Sequence, residues 1–513
     1  MNLKLNALKG IGTGWLRLGV SLLVGFLLLP FILHHLGDSA FGLYVLIFSI
    51  TGYYGVLDFG IKSSLGRYVA KFNATGDTDE LNRFLSTVFT IYCIIAVLLL
   101  VLTFVGAIYV DTLFHISPDF FRSARLLFLI TGTAIALGFP LGIFPGALYT
   151  LQRFATCDLA SIATVAARAA LIVWALTHGL GLLTVAIVTV SCNILFSLIC
   201  MFFLFRTMVV RLSWKLANKK SLRLMITYSL PAFVMSISEQ MRFYSAEILI
   251  GFMFSAAHIT YFSIASKLVD YANRLTTATS AVFTSISSHA ESTGDVQILI
   301  RILDQGSRVC ALIVFPVCVL FITLGKPIIH LWMGARYVSS YPILVILIVP
   351  MTLYLAQAAA VRLLFGIGRH SWLAVASVAE GVAVIVLAIL LGAHKGLIGI
   401  AWGVGIPLGV SSIVFYPVYT CRILKTSLAG YVRHAYLPPL LLCLPLIGTL
   451  VFLRRMLPAI TYGTLALQLA CGGVVYGGLF LWYFFTWEPL GAEVAGRIGR
   501  YFTTPEGPGK IDN

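Results

Sequence analysis

Charge is scarce in this chain. Only 11% of its 513 residues are charged, and acids are the rarer kind, with 19 Asp and Glu against 35 Lys and Arg. Soluble domains carry about 25% charged residues, so a water-facing surface along most of the chain is excluded. Long polar stretches are also missing, which leaves no room for a soluble catalytic domain between the apolar runs. The nine cysteines (Cys93, Cys157, Cys192, Cys200, Cys310, Cys318, Cys421, Cys443 and Cys471) fall in or at the ends of apolar segments. They lack the paired loop spacing of a disulfide framework or a zinc site and read as small buried hydrophobes. His34 and His35 share a helix end and the other eight histidines are scattered, so no metal constellation and no cofactor is expected.

What the chain has in abundance is apolar length. Hydrophobic residues make up 59%, and fourteen stretches are long enough to cross a bilayer as helices. They cover about 10–35, 40–65, 84–110, 123–150, 155–177, 180–207, 225–254, 257–288, 299–325, 341–366, 371–393, 396–421, 437–457 and 461–486. The class is therefore an all-α polytopic membrane protein with about 14 transmembrane helices. Lys4 and Lys9 ahead of the apolar run Ile11 to Leu36 mimic a signal peptide, but that run is too long and leads straight into another span. An uncleaved first helix is expected.

Basic residues report orientation. With a cytoplasmic N-terminus, 23 of the 35 Lys and Arg fall in cytoplasmic segments and seven in outer ones, while Arg17, Arg168, Arg242, Lys267 and Arg274 fall inside spans. This bias predicts an even number of spans with both termini cytoplasmic. It also accounts for the net charge of +16 without nucleic acid. In that topology the sequon at Asn73 is cytoplasmic and reads as chance. The basic linker, with Leu212, Trp214 and Leu216 interleaved, predicts a helix lying on the anionic inner leaflet.

The halves resemble each other. Leu148 to Leu195 and Leu363 to Val410 each run from a small-residue core through an aliphatic stretch and a His and Gly turn into a second Gly and Val-rich span. Duplicated units of six spans share one orientation, related by an axis along the membrane normal. The expected division is an N-terminal lobe at 1–208, a basic cytoplasmic linker at 209–222, a C-terminal lobe at 223–424, a helix pair at 425–486 and a cytoplasmic tail at 487–513. That makes two pseudo-symmetric six-helix lobes plus a C-terminal pair.

Charges inside the spans are the candidates for function. A charge near the bilayer centre costs at least about 2.5 kcal/mol, so each must face protein or a wet cavity. Arg17, Arg168, Arg242, Lys267 and Arg274 suit an anionic headgroup, since Arg stays charged when desolvated and grips phosphate bidentately. The structural alternative pairs Glu239 with Arg242 and Lys267 with Asp270, each three residues apart on a helix. Asp58, Glu239, Glu247 and Glu380 are candidates for a coupling proton or sodium ion. Glu380, alone among apolar neighbours, is the expected titrating group, and Asp58 is expected near the inner interface beside Lys62 and Arg67. Tyr53, Tyr54, Phe243, Tyr244, Tyr261, Phe262 and Tyr271 serve either packing or sugar stacking.

A family resemblance joins these readings. Pro30, His35, Leu36, Gly37, Phe41 to Tyr44, Leu57 to Gly60 and Arg67 to Ala70 resemble the opening of polysaccharide (O-antigen, Wzx-type) flippases. These belong to the multidrug/oligosaccharidyl-lipid/polysaccharide transporter superfamily. Pro231, Glu247 to Gly251, Tyr261 and Ala265 to Leu268 are similar to the family's seventh and eighth helices. Two positions depart from it: Glu247 stands where Asp is common, and Val282 to Ser288 lacks the usual proline.

The resemblance implies a two-lobed flippase in a bacterial inner membrane. It would move undecaprenyl-diphosphate-linked oligosaccharide by alternating access, with membrane lipids, a polysaccharide polymerase and other assembly proteins as partners. A multidrug or metabolite antiporter of the same superfamily is the runner-up, disfavoured by the cationic excess within the spans. A membrane polysaccharide polymerase or ligase, from a different class, is disfavoured by short outer loops.

Overall fold

A computed structural model describes residues 3–208, 211–369 and 371–487. The tail from 488 onward, with Arg497, Arg500 and Lys510, lies outside the described residues, as do Val209 and Val210 of the linker. The described chain is helical, in the order α1 (Leu3–Gly52), α2 (Ile61–Thr75), α3 (Thr78–Leu113), α4 (Phe121–Leu141), α5 (Ile143–Thr150), α6 (Phe154–Thr177) and α7 (Leu182–Thr207). There follow α8 (Lys219–Met253), α9 (Ala256–Ser280), α10 (Val282–Thr293), α11 (Val296–Arg301), α12 (Ser307–Met333), α13 (Tyr341–Ala356) and α14 (Ala358–Gly366). The last four are α15 (Ser371–Val410), α16 (Tyr416–Leu424), α17 (Leu428–Met456) and α18 (Tyr462–Trp487).

Among the described residues, ten helical runs are long and apolar enough to cross a membrane. Two of them, Gly12–Asp58 and Ser371–Leu424, each cover a pair of the stretches expected from sequence. Both contain a break: α1 turns at Gly37 (φ 74°) and α15 at Gly396 (φ 62°), left-handed conformations that cost glycine little. The second stretch also fails to run as one helix. A 3₁₀ turn at Tyr53–Asp58 is followed by left-handed Phe59 and Gly60 before α2 begins. Near the end of the eighth stretch the chain passes from α9 to α10 at Ala281 without a proline.

The sequence of α3 shows why these helices need lipid. Ile94, Val97, Leu98, Val101, Phe104 and Ile108 recur at helical spacing and are all exposed, while Tyr92, Ile95, Leu99, Thr103 and Val110 are buried on the other side. The exposed stripe is at least as apolar as the buried one, which water does not permit and hydrocarbon does.

Two compact units are present, one of Met1–Leu275, Ser339–Met351 and Gly368–Phe415, the other of Thr276–Val338, Thr352–Ile367 and Tyr416–Asn513. The core of the first gathers Leu65, Phe84, Leu85, Tyr92 and Leu99 around Met225, with a second cluster at Leu43, Ile47, Leu127 and Ala256. The second packs Leu324 against Leu446 and Leu450.

Helix punctuation repeats along the chain. Gly142 separates α4 from α5 as Gln357 separates α13 from α14. The sequence Thr-Gly-Asp ends α2 and again ends α10: Gly76 and Gly294 are both left-handed at φ 70°, and Asp77 and Asp295 each cap the next helix. In both turns the threonine hydroxyl donates back into its own helix, and the aspartate amide donates to the carbonyl five residues earlier.

The basic linker is no surface helix. From Arg211 to Asn218 it is extended, with only the 3₁₀ turn Trp214–Leu216. Side chains of α3 take up its backbone instead: the Arg211 and Asn218 amides donate to Asn82 and Thr87 at 2.9 and 3.2 Å, and Ser86 accepts from the Ser213 amide. With those groups satisfied, helix formation gains nothing.

Candidate functional site

Charged residues of α8 and α9 converge within the first unit. α8 starts at an Asn218 cap, whose side chain accepts the Ser221 amide at 2.7 Å, and carries Ser238, Arg242, Ser245 and Glu247 on buried positions. α9 carries Ser266, Lys267, Asp270 and Arg274. Arg242 and Glu380 of α15 form an ion pair at 2.7 Å, with side chains 5% and 1% exposed. It is an ion contact rather than an aligned hydrogen bond, and Glu380 Oε2 has no hydrogen-bond partner among the described residues. Beside the pair lies a cavity of about 60 Å³ lined by Arg242, Ser266, Asp270, Phe262, Leu347 and Val404.

Nearer to open space, Arg274 Nε meets Asp270 Oδ2 at 2.8 Å, and the Arg274 side chain is 55% exposed. The contact uses Nε and leaves the Nη edge of the guanidinium. Lys267 is exposed and close enough to act on the charge of Glu247, which is buried and accepts from the Ser266 hydroxyl at 3.3 Å. Three tyrosines surround this set: Tyr53, whose ring centroid lies 6.5 Å from that of Tyr244, and Tyr271. Close seats on α1 receive them, with Gly52 under the Tyr244 ring and Gly25 under the Tyr271 hydroxyl. Tyr261 is half-buried and Phe262 buried, whereas the side chain of Phe243 is outside the described ones.

The pairing differs from the one expected. Arg242 pairs with Glu380 rather than Glu239, which is exposed, and Asp270 pairs with Arg274 rather than Lys267. Glu380 is therefore not alone, because a residue distant in sequence brings it a cation. Pairing also removes the cationic excess that the sequence suggested within these helices.

Other candidates lie apart from this cluster. Arg17 pairs with Asp158 of α6 at 2.8 Å; Asp158 is buried and also accepts from the hydroxyls of Thr13 and Tyr149 at 2.8 and 2.9 Å. Arg168 acts on Tyr44, which shares a hydrogen bond with Thr189, and on Cys192. Asp58 accepts from the Tyr92 hydroxyl at 2.5 Å and from the Lys62 amide at 3.3 Å. Asp58 and Tyr92 lie on an open cavity of about 290 Å³ lined by residues of α1, α2, α3, α4 and α7. Asp158 and Tyr92 were not singled out from sequence. The signal for Asp158 was present as an acid inside the apolar run that begins at residue 155, and Tyr92 carried none.

All nine cysteines are free, and no group of His, Cys, Asp and Glu able to hold a metal occurs among the described residues.

The family described as "Polysaccharide biosynthesis protein" matches residues 35–342. An uncharacterized membrane protein of Bacillus subtilis (strain 168), EpsK, is 20% identical over 417 residues, covering 80% of this chain and 81% of its own. Among solved structures, the lipid II flippase MurJ in an inward closed conformation superposes with a TM-score of 0.69 at 18% identity, covering 92% of this chain and 98% of MurJ. An inward-facing multidrug resistance MATE transporter of the MOP superfamily gives 0.62 at 16% identity, covering 81% of this chain and 95% of its own. The chain therefore has the fold of that superfamily.

Proposed function

Because the chain belongs to the polysaccharide biosynthesis protein family, we propose that it is a flippase that moves undecaprenyl-diphosphate-linked oligosaccharide across the bacterial cytoplasmic membrane by alternating access. The observation that carries this reading is the half-exposed Arg274 on Asp270, set beside Lys267 and tyrosines on α9, a helix whose apolar residues are almost all buried and whose exposed positions are polar or small. Arg274 and Lys267 are the diphosphate contacts in this proposal. Asp270 holds the guanidinium in place while the carrier is empty, competes with phosphate when it is loaded, and so favours release. Arg242, buried against Glu380, ties α8 to α15 and takes no direct part. Arg17 and Arg168, in separate polar clusters, serve the headgroup only along its path.

Two further features support the reading. An apolar cavity of about 330 Å³, lined by Phe59, Ile61, Ile91, Met225, Ile226 and Phe233, suits a lipid chain. Between α3 and α4, and between α12 and α13, the chain has only short turns, Pro118–Phe120 and Ala335–Ser340, with no room for the loop a polymerase or ligase needs. The basic bias supports a cytoplasmic location for both termini. For coupling to a proton or sodium gradient, Glu247 is the best-placed acid, since it is buried and its Oε2 has no hydrogen-bond partner among the described residues. Asp58, Glu239 and Glu380 rank behind it. A polysaccharide polymerase is the expected partner downstream.

Deleting the gene in its host is the test. Lipid-linked glycan accumulating on the inner leaflet supports the proposal. Unchanged glycans with new drug sensitivity overturn it in favour of the antiporter, a reading that the balanced charges of α8, α9 and α15 bring closer than the sequence did.

A further inference from the structure

The cavity of about 290 Å³ in the first unit lies apart from Arg274 and Lys267, the diphosphate contacts proposed above. Its floor is fixed by the backbone. Left-handed Phe59 and Gly60 turn the chain sharply after the 3₁₀ turn and leave Asp58 buried at the bend. Tyr92 holds one carboxylate oxygen and the Lys62 amide holds the other, so the group cannot rotate. Each oxygen keeps a second acceptor position, because a carboxylate has about four lone-pair sites.

Across the space, α7 presents Asn193, exposed, and Ser197. The Ser197 hydroxyl donates to the Asn193 carbonyl at 3.3 Å and Thr131 donates to Leu127, so both hydroxyl oxygens remain acceptors. The Asn193 amide offers donors and an acceptor together, and Lys62 adds donors at the rim. Apolar walls from Phe48, Ile135, Phe139 and Ile194 separate these groups.

We propose that this cavity binds a sugar ring of the lipid-linked substrate. The inference rests on the flippase reading and adds to it the place where the glycan, rather than the diphosphate, is recognised. A pyranose alternates hydroxyl edges with C–H faces, which matches fixed polar groups set in apolar walls. The volume, at the lower end for small-ligand sites, takes a single ring with its substituents. A phosphate would meet the Asp58 carboxylate and is disfavoured. An organic cation would meet Lys62, and a lipid chain would strand the polar lining.

Binding is measured on the full-length protein in nanodiscs with two probes, lipid-linked glycans extracted from the producing cells and bare undecaprenyl diphosphate. Two or three hydrogen bonds predict that the glycan-bearing lipid binds about tenfold tighter than the bare carrier. Asn193→Ala should cut that preference to about twofold, and Asn193→Trp, which fills the cavity, should abolish it, both at an unaltered melting temperature. No preference in the wild type, or full preference in Asn193→Trp, overturns the proposal. If neither lipid binds the wild type, the flippase reading falls and takes this inference with it. If sodium or a proton, and not glycan, protects a cysteine placed at Asn193, the cavity is an ion site and the proposal fails.

Discussion

Arg242 of α8 and Glu380 of α15 share an ion pair at 2.7 Å from which water is almost wholly excluded. Taking two charges out of water costs several kcal/mol each, and their attraction repays this only while both remain. Removal of either partner should therefore destabilise the protein by about 3–5 kcal/mol. Arg242→Met together with Glu380→Leu should recover most of that loss. Melting curves in detergent check this. A stable double variant that flips lipid normally confirms a structural pair, whereas a stable but inactive one returns Arg242 to the headgroup site.

At Arg274 the expectation is opposite. Its side chain is half exposed and its contact with Asp270 is a helical i,i+4 pair, a kind that contributes only about 0.3–0.5 kcal/mol. Arg274→Ala should insert and melt like the wild type yet lose most transport. Arg274→Lys should retain part of it, since a point charge replaces the planar fork. Asp270→Asn should tighten binding of bare undecaprenyl diphosphate and slow turnover. Full transport by Arg274→Ala would exclude it from the site.

How much of this the sequence disclosed depends on distance along the chain. The apolar stretches were legible because a membrane helix satisfies its own backbone, so composition alone marks it. The concentration of charge on α8 and α9 was legible for the same reason. Partners were not. Local spacing offered Glu239 to Arg242 and Lys267 to Asp270, while the structure supplies Glu380 and Arg274, one of them from a helix far along the chain. Asp158 obeys the same rule that flagged Glu380 and was recoverable. The extended linker was not, because its backbone amides are captured by side chains of α3.

The repeated Thr-Gly-Asp turns make a matched prediction. Asp77 accepts the Glu80 amide at 3.0 Å and Asp295 accepts the Ile298 amide at 3.1 Å. An N-cap of this kind is worth about 1 kcal/mol. Asp77→Ala and Asp295→Ala should each lower stability by about that amount, and their losses should add in the double variant, since the sites share no residue. A much larger loss at one turn, read from melting curves, would show that the two no longer carry equal structural weight.

Gly42 offers the sharpest test of close helix approach. A Cβ added there would sit 1.7 Å from the Ala256 carbonyl oxygen, a backbone atom that cannot swing aside. The same region is tied by the Thr260 hydroxyl donating to the Asp38 carbonyl at 2.7 Å and by the His115 amide donating to the Gly251 carbonyl at 3.3 Å. Small residues at such crossings let backbones pack where lipid gives no hydrophobic drive. Gly42→Ala should therefore separate α1 from the start of α9. A cysteine pair at Asp38 and Thr260 should cross-link in the otherwise native chain and at least several-fold more slowly in the Gly42→Ala background. Gly448→Ala in α17, which meets nothing within 4 Å, is the control and should be neutral or stabilising by about 0.5–1 kcal/mol. Unchanged cross-linking in Gly42→Ala would mean that α1 and α9 do not rely on this contact, and that the packing tolerates a shift larger than a methyl group demands.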